Sequence, residues 1–444
     1  MRYSDPSAGR DLLGNRSLCF IFICAFGVVT LLHQILYGKN YIKSTQQFTR
    51  LKGKEVGNWS GLVSYPDDGG MKQPARIVRK RCVRQKFQHS GNAVVISPCL
   101  ADIEKKKKEK RRYLESSNGP LLYNTTTCKE LRQEIKDIKM LSMVKTSELF
   151  DRWRNLQACS WEQNKEDTNI FKMSLSRCCN AASFLFTTQK NTPSGTKLRY
   201  EADTSVILHI VPEIFKMLPE DMPYSKSQFK KCAVIGNGGI IKNSKCGKEI
   251  DSTDFVFRCN IPPISEKYAA DVGTKTNLVT INPSIITEKF QKLEKSRRPF
   301  YDALTSYENA SIVLPAFYNA RNTDVSFRVK YALDDFGGTA ARRVFFFHPQ
   351  YLLGAQRFWS AQGVRAKRLS SGIMLATAAL ELCQEVHLYG FWAFPMNPAG
   401  IFVTHHYYDN VKPRPGFHNM PHESFNFLHM HAHGILHVHT GECR

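Results

Sequence analysis

The carboxyl-terminal part of the chain concentrates histidines among aromatic and acidic residues. The stretch THHYYDNVKPRPGFHNMPHE, residues 404–423, holds four of the chain's fourteen histidines. An imidazole exchanges a proton near neutral pH and is also a common metal ligand. His418, with Glu423 five residues later, has the form of a base supported by a carboxylate. His406 stands beside two tyrosines and Asp409, where it offers a cation or a proton donor. The stretch predicts proton transfer or metal binding.

One segment of this stretch nearly spells a zinc-hydrolase motif. In that motif, two histidines one helical turn apart bind zinc beside a catalytic glutamate. His422 and Glu423 match the first two positions, but Asn426 stands where the second histidine ligand belongs. The substitution argues against a zinc-dependent hydrolase, which we keep only as a minor alternative.

Five further histidines follow at every second position in two short runs, which are His429, His431 and His433, and then His437 and His439. If these runs are extended, the period of two places each set on one face of a strand, where it could bind a metal. The competing interpretation is that they are partly buried polar residues with ordinary partners. We favour this second interpretation and assign the five histidines no role.

A glycine-rich turn occurs in CAVIGNGGIIKNSKCG, residues 232–247, which predicts a strand, a tight turn and the start of a helix. Such turns bring backbone N–H groups close to a phosphate. The dinucleotide fingerprint is not met, because Ile241 occupies the position of its third glycine, and the P-loop fails because Glu249 follows Gly247-Lys248. Either a nucleotide-binding turn of another kind or a purely structural turn fits these residues.

The sequence also bears on how a sugar nucleotide would be activated. Transferases that use nucleoside diphosphate sugars normally hold a divalent ion with an Asp-x-Asp motif, and the chain contains no such triplet. A glycosyltransferase with this sequence would therefore need a leaving group of lower charge. A nucleoside monophosphate fits, with a histidine supplying the positive charge.

The elements that must position these residues alternate between strands and helices. Short apolar runs begin at 232, 254, 277, 311, 343 and 385, and helical patterns fall between them, notably SGIMLATAALELC at 371–383. This alternation predicts an α/β layered fold with a largely parallel central sheet and flanking helices. We expect the globular domain to extend from residue 121 to residue 444.

The amino-terminal segment predicts a membrane anchor. LCFIFICAFGVVTLLHQIL, Leu18–Leu36, contains nineteen residues without formal charge, which is enough for a helix to cross a bilayer. We therefore expect a cytoplasmic tail at 1–17, a transmembrane signal anchor at 18–37, a largely disordered luminal stem at 38–120 and a catalytic domain at 121–444. Basic residues on both sides of the span leave its orientation open by charge alone.

Two downstream signals favour the lumen. Eleven of the thirteen cysteines follow the span, and Asn58, Asn124 and Asn309 begin N-glycosylation sequons. The formal net charge is +23, and part of it lies in IEKKKKEKRR, residues 103–112. Because a luminal chain does not meet nucleic acid, this excess instead fits an anionic substrate or a membrane surface.

Four ordered motifs resemble those of the animal sialyltransferases, within them the α2,8 group. Residues 232–264, CAVIGNGGIIKNSKCGKEIDSTDFVFRCNIPPI, are similar to the large motif, and residues 370–392, SSGIMLATAALELCQEVHLYGFW, to the small motif. HYYD, residues 406–409, resembles the third motif, and His418 with Glu423 resembles the very small one.

The resemblance implies a role for particular residues. Asn237 and Asn260 would contact the CMP part of CMP-sialic acid, and the donor would also be approached by Ser370, Ser371, Gly372 and Trp392. His406 would bind the departing phosphate, and His418 would take the proton of the acceptor hydroxyl. The resemblance further implies two disulfide bonds, Cys232–Cys383 and Cys246–Cys443.

The same resemblance implies a Rossmann-like variant of the GT-A fold and an inverting transfer without metal or other cofactor. The acceptor would be the 8-hydroxyl of a terminal sialic acid on a ganglioside or on a sialylated glycoprotein. The enzyme would be a single-pass type II protein of the Golgi membrane, with a homodimer among its expected partners and no nucleic acid. The rival from another class is a luminal glycan-binding protein that keeps the fold without turnover.

Overall fold

The structure is a computed structural model, which describes residues 125–307, 309–337, 343–412 and 417–443. The expected signal anchor, the stem, Asn58 and Asn124 lie outside the described residues. Within the described part, no helix is both long enough and apolar enough to cross a membrane.

The described residues contain thirteen α-helices and nine β-strands. The helices are α1 (Thr125–Lys136), α2 (Thr146–Leu156), α3 (Lys165–Cys178), α4 (Ala181–Phe184), α5 (Pro212–Met217), α6 (Gly247–Asp251), α7 (Glu266–Val272), α8 (Pro283–Glu288), α9 (Arg297–Leu304), α10 (Ala320–Asp335), α11 (Pro349–Ala361), α12 (Ser371–Leu382) and α13 (Met420–Ala432). The strands are β1 (Lys197–Arg199), β2 (Ile207–His209), β3 (Phe229–Ile235), β4 (Phe255–Arg258), β5 (Leu278–Thr280), β6 (Ser311–Leu314), β7 (Val344–Phe346), β8 (Cys383–Tyr389) and β9 (His437–His439).

A central sheet of seven strands organises the described residues. Its strands lie in the order β7-β6-β5-β4-β3-β8-β9, and every neighbouring pair is parallel. The apolar runs predicted as strands form β3 to β8, and SGIMLATAALELC forms α12. The α/β class and the parallel sheet are therefore confirmed. Strands β1 and β2 form a separate antiparallel pair.

Both faces of the sheet are covered, which explains why its strands read as continuous apolar runs. In β3, Val234 packs into one hydrophobic cluster, while Ala233 and Ile235 pack into the other. Alternate residues of a strand point to opposite faces, so the two clusters are the two helix-covered layers. Helix α12 lies in the first layer, with ten buried residues.

The strand order reverses between β3 and β8. From β3 the chain proceeds through β4, β5 and β6 to β7 at one edge, and it returns to β8 on the other side of β3. In open parallel sheets, ligands bind at the carboxyl ends of the strands where the order reverses. The topology therefore directs attention to the segments that follow β3, β4, β5 and β8.

The extended conformation considered for the run from His429 to His433 is wrong. His429 and His431 lie within α13, and His433 caps its carboxyl end. The apolar residues of this helix are buried at helical spacing, such as Phe427 and Met430, so core packing selects the helix. His437 and His439, by contrast, do lie on a strand, β9.

A disulfide bond joins Cys232 of β3 to Cys383 at the start of β8, so that the two strands at the reversal are covalently linked. The two cysteines are 151 positions apart in the sequence. A bond that closes so long a loop removes much entropy from the unfolded chain. A second bond, Cys246–Cys443, fastens the carboxyl terminus to the residue that precedes α6.

We expect the double substitution Cys232→Ala and Cys383→Ala to lower the free energy of unfolding by about 2–5 kcal/mol. Denaturant unfolding measures the change. The matched control removes the Cys128–Cys159 bond, which spans 31 positions. The logarithmic dependence on loop length makes the expected loss about 1.4 kcal/mol smaller there. Equal stability of the wild type and the first double variant would contradict this prediction.

Candidate active site

Three asparagines lie at the carboxyl ends of neighbouring strands. Asn237 follows β3, Asn260 follows β4 and Asn282 follows β5. The Asn237 amide donates a hydrogen bond of 2.9 Å to the carbonyl of Cys259, which ties the ends of β3 and β4 together. Asn260 has a φ of 65°, in the left-handed region that asparagine tolerates better than most residues. The ends of the strands thus form a polar edge.

The side-chain oxygen of Asn237 is buried, and no hydrogen-bond donor reaches it within the described residues. Leaving a buried acceptor unpaired costs about 1–3 kcal/mol, so such an atom marks a place where a ligand can supply the missing donor. The Asn237 oxygen is therefore an unused acceptor at this polar edge.

The glycine-rich turn after β3 serves close packing. A Cβ atom on Gly236 would lie 2.7 Å from the carbonyl oxygen of Gly390, and one on Gly238 would lie 2.6 Å from it. Only glycine permits this approach between the ends of β3 and β8. A single 3-10 turn, Gly239–Ile241, follows the glycines, and the predicted start of a helix falls at the end of the segment, where α6 begins at Gly247.

The amino terminus of α12 lies at the same edge. Ser370 caps the helix by accepting the N–H of Ile373 at 3.2 Å, and the Ser371 hydroxyl donates to the side-chain oxygen of Asn282 at 3.2 Å. A Cβ atom on Gly372 would lie 2.7 Å from the ring of Phe391. The first N–H groups of a helix carry partial positive charge, so this end suits an anionic group.

Glu423 holds the start of α12 in place. Its carboxylate is buried and accepts the N–H of Ser370 at 3.0 Å and the Ser370 hydroxyl. Burial raises the pKa of Glu423, and the two bonds from Ser370 oppose that rise. We expected the Glu423 carboxylate to support His418, and this expectation is wrong. Helix α13 turns Glu423 into the core, and the His418 ring bonds to a different group.

We expect Glu423→Gln to lower the free energy of unfolding by about 1.5–3 kcal/mol, since hydrogen bonds to charged groups contribute this much. The glutamine amide would present a donor where Ser370 now donates. Transfer should fall as well, because the α12 terminus loses its support. Thermal unfolding and kcat/KM measure the two effects. Glu213→Gln, on an exposed side chain of α5, is the matched control and should change neither.

His418 is arranged as a base. Its Nδ1 lies 2.8 Å from the carbonyl oxygen of Arg368, which can only accept, so Nδ1 carries the proton and Nε2 is left as an acceptor. Burial lowers the pKa of His418. The bond to the Arg368 carbonyl raises this pKa, and the positive charge of Arg368 lowers it further. The neutral ring is therefore favoured. The Arg368 guanidinium is itself bonded to Glu201, at 3.3 and 3.2 Å.

His406 lies in a loop that docks on the turn after β3. It forms an isolated β-bridge with Gly238, and the N–H of Tyr407 donates to the carbonyl of Asn237 at 2.9 Å. The His406 Nδ1 lies 2.8 Å from Asp409, and the ring stacks on Tyr408 with an interplanar angle of 12°. These contacts orient the ring, and within the described residues its Nε2 has no hydrogen-bond partner.

Other predicted residues occupy different surroundings. The Trp392 indole packs in the core against Phe150 and Phe394, and its N–H donates to the carbonyl of Met396 at 2.7 Å. Because the indole packs in the core, it is the Trp392 backbone that lies near the turn after β3. The ring of His422 bonds to the side chain of Asn419, apart from Glu423, which is unlike a zinc-hydrolase motif.

Sequence reasoning missed two residues of this site. Asn282 directly follows the apolar run NLVTI, as Asn237 and Asn260 follow theirs, so its position after a strand could have identified it. Arg368 gave no comparable signal, because it contacts His418 through its backbone carbonyl. A parallel α/β sheet with asparagines, a helix amino terminus and two histidines at its carboxyl edge is typical of enzymes that bind a nucleotide-linked substrate.

Comparison with known proteins agrees with this class. The family glycosyltransferase family 29 (sialyltransferase) matches residues 186–435. The chain is 60% identical to human alpha-2,8-sialyltransferase 8E, over 100% of this chain and 99% of that protein. It is 41% identical to mouse alpha-2,8-sialyltransferase 8F, over 72% of this chain and 80% of that protein. The chain belongs to glycosyltransferase family 29, the sialyltransferases.

Solved structures of sialyltransferases also match. One crystal structure of a mammalian sialyltransferase is 23% identical, with a TM-score of 0.36, and the match covers 67% of this chain and 86% of that chain. A second, in complex with Gal-beta-1-3GalNAc-ortho-nitrophenol, is 21% identical, with a TM-score of 0.35, and covers 72% and 88%.

Proposed function

We propose that the chain is an α2,8-sialyltransferase, which transfers sialic acid from CMP-sialic acid to the 8-hydroxyl of a terminal sialic acid. The identity of 60% over the whole chain to proteins named alpha-2,8-sialyltransferase 8E supports this linkage. The arrangement of the site supports the chemistry, because His406 and His418 each have Nδ1 hydrogen-bonded, while Nε2 has no hydrogen-bond partner within the described residues. The acceptor is a ganglioside or a sialylated glycoprotein.

In this mechanism, the neutral His418 is the base. Its Nε2 takes the proton of the acceptor 8-hydroxyl while the hydroxyl oxygen attacks the anomeric carbon of the donor. The bond from that carbon to the phosphate oxygen breaks in line, CMP departs with the electron pair, and the anomeric configuration inverts. General base catalysis of this kind contributes typically 10²–10⁴-fold to a rate.

The leaving group is stabilised on the opposite side of the reacting carbon. His406 contacts the phosphate, and Asn237 and Asn260 contact the nucleoside and its phosphate. The N–H groups that begin α12, at Ser371 and Gly372, face the negative charge of the donor. Because CMP is a monophosphate, these groups suffice, and the reaction needs no metal.

The cellular setting follows from the same identification. We propose a single-pass type II Golgi membrane protein, with the anchor at 18–37, the stem at 38–120 and a luminal catalytic domain of Rossmann-like GT-A type at 121–444. The exposed Asn309, immediately before the loop into β6, and the disulfide bonds are compatible with the lumen. A homodimer and a contact with the membrane belong to this proposal.

Radiolabelled CMP-sialic acid, offered with a panel of gangliosides and sialylated glycoproteins in excess EDTA, tests the proposal. We expect label in acceptors that end in sialic acid, at a rate that EDTA leaves unchanged. A glycan-binding protein of the same fold would bind an acceptor and leave the label in the donor. Strict dependence on an added divalent ion would contradict the metal-free mechanism.

A further inference from the structure

Three histidines that have no place in the transfer mechanism meet on the last two strands of the sheet. His387 of β8 lies directly opposite His437 of β9, and His439 follows two positions later on the same face. Each of the three offers a ring nitrogen, and these nitrogens all lie within 4.8 Å of one another. We call these three residues the β8–β9 histidine cluster.

The geometry of the cluster is close to that of a tetrahedral metal site. The Nδ1 of His387 and the Nε2 of His439 are 2.9 Å apart. Glu249 of α6 brings a carboxylate oxygen to 3.9 Å from the first nitrogen and 3.8 Å from the second. Ligands of a tetrahedral zinc ion stand roughly 3.3 Å apart. The three histidine nitrogens, which all lie within 4.8 Å of one another, and the Glu249 oxygen would have to close to this spacing around one ion.

The surroundings of the cluster have the features that accompany metal-binding histidines. A metal-ligating histidine usually donates its other ring N–H to a carboxylate, which fixes its orientation. The Nε2 of His387 lies 2.6 Å from Glu385, which leaves Nδ1 for an ion. The Tyr389 hydroxyl donates to the same oxygen of Glu249 at 2.8 Å, and Trp161 stacks on the ring of His437 at an interplanar angle of 3°.

Ordinary packing gives a weaker account of the cluster. Ordinary packing can satisfy one pair of these nitrogens, because the His439 ring can donate its Nε2–H to the Nδ1 of His387. Within the described residues, only His387 of the cluster has a carboxylate hydrogen-bonded to its ring, and the buried ring of His437 has only ring contacts with its neighbours. One charge opposes a bound cation: the Lys231 ammonium lies 3.9 Å from Glu249. Its side chain is 38% exposed, so it can turn into solvent when an ion binds.

We propose that His387, His437, His439 and Glu249 bind a divalent transition-metal ion of the Zn²⁺ class. Imidazole nitrogens with one carboxylate form a donor set that suits this ion. The ion would join β8, β9 and α6 beside the Cys246–Cys443 bond, where His439 lies 3.8 Å from the Cys443 sulfur. It therefore secures the carboxyl-terminal strand, whereas His406 and His418 carry out the transfer without it.

Zinc binding to the full chain in detergent tests this proposal. The protein is purified with a tag that contains no histidine, stripped with EDTA, freed of chelator and titrated with Zn²⁺ by calorimetry. We expect one ion per chain and an increase in Tm of several degrees on loading. Co²⁺ in place of Zn²⁺ should show the intense visible bands of tetrahedral coordination.

The double substitution His437→Gln and His439→Gln should weaken zinc binding at least 100-fold, and Glu249→Gln should weaken it about 10-fold, as losses of ligands do. His209→Gln, on an exposed histidine of β2, is the matched control and should bind as the wild type does. The circular dichroism spectrum of each variant verifies its fold.

Two results would overturn the site. The first is a wild-type chain that binds less than one Zn²⁺ at 100-fold molar excess. The second is a folded double variant that binds Zn²⁺ as tightly as the His209→Gln control. Neither result depends on sialyl transfer, so a failure of the metal site and a failure of the proposed function are distinguishable.

Discussion

His418→Ala is expected to reduce kcat for sialyl transfer by about 10³-fold or more while leaving the affinity for CMP nearly unchanged. The wild-type ring keeps its proton on Nδ1 through the Arg368 carbonyl, so that Nε2 can accept the proton of the acceptor hydroxyl. Alanine removes the base but none of the groups assigned to the nucleotide. Single-turnover transfer of radiolabelled sialic acid and calorimetry with CMP measure the two quantities.

The control for this variant is His422→Ala. His422 lies four positions further along the chain, and its ring is bonded to Asn419 rather than to a group of the site. We expect near-normal transfer from it. Near-normal turnover of His418→Ala would remove His418 from the mechanism, and loss of CMP affinity in that variant would assign it a binding role instead.

The pH dependence of kcat/KM follows from the environment of the same residue. Burial lowers the pKa of His418, so a larger fraction of the ring is neutral in a mildly acidic solution than for a free histidine. Activity should therefore persist as the pH falls through 6.5 and decline only at lower pH. An acidic limb centred above pH 6.5 would contradict the lowered pKa of His418.

His406→Ala is expected to lower kcat/KM by about 10²–10³-fold, the usual consequence of removing a group that stabilises developing charge. Unlike His418→Ala, it should also weaken CMP binding, because the loop that carries His406 docks on the turn after β3 and the ring is assigned to the phosphate. Asp409→Asn should produce a smaller loss in the same direction, since Asp409 orients the ring. Calorimetry with CMP and initial-rate kinetics separate the two variants.

His405→Ala is the matched control for this second substitution. His405 is the neighbouring residue, and its backbone N–H, which alanine keeps, bonds to Asn410. We expect it to retain most of the activity. If His406→Ala bound CMP as tightly as the wild type and turned over normally, other groups would have to hold the phosphate. The assignment of His406 to the leaving group would then be wrong.

Strands β3 to β8 were predictable because each contains a short apolar run that is largely buried. That pattern also placed Asn237 and Asn260 directly after β3 and β4, at the edge where parallel strands present their carboxyl ends. Local composition and period are sufficient for such features. The same reasoning could have identified Asn282, because it follows β5 in the same way.

Contacts between distant segments were not predictable in this way. Glu423 stands five residues after His418, yet the first turn of α13 directs it to Ser370, which is 53 positions away in the sequence. The histidines from His429 to His433 have a period of two but follow the helical burial of their apolar neighbours. In both cases, tertiary packing decides where the side chain points, and spacing alone carries no information about it.

The glycine turn illustrates the same limit for backbone geometry. From sequence, Gly236 and Gly238 fit either a phosphate-binding turn or a structural turn. Their closest neighbour is the carbonyl oxygen of Gly390, more than 150 positions later in the chain. Only the pairing of β3 with β8 reveals that the glycines are required for this approach.

Linkage analysis of the transfer product tests the central claim most directly. Purified enzyme is given CMP-sialic acid and a ganglioside that ends in a single sialic acid, and the product is permethylated and analysed by mass spectrometry. The account predicts a sialic acid substituted at its 8-hydroxyl, which is absent from the product of His418→Ala. New sialic acid attached only to galactose, or release of free sialic acid without transfer, would contradict it.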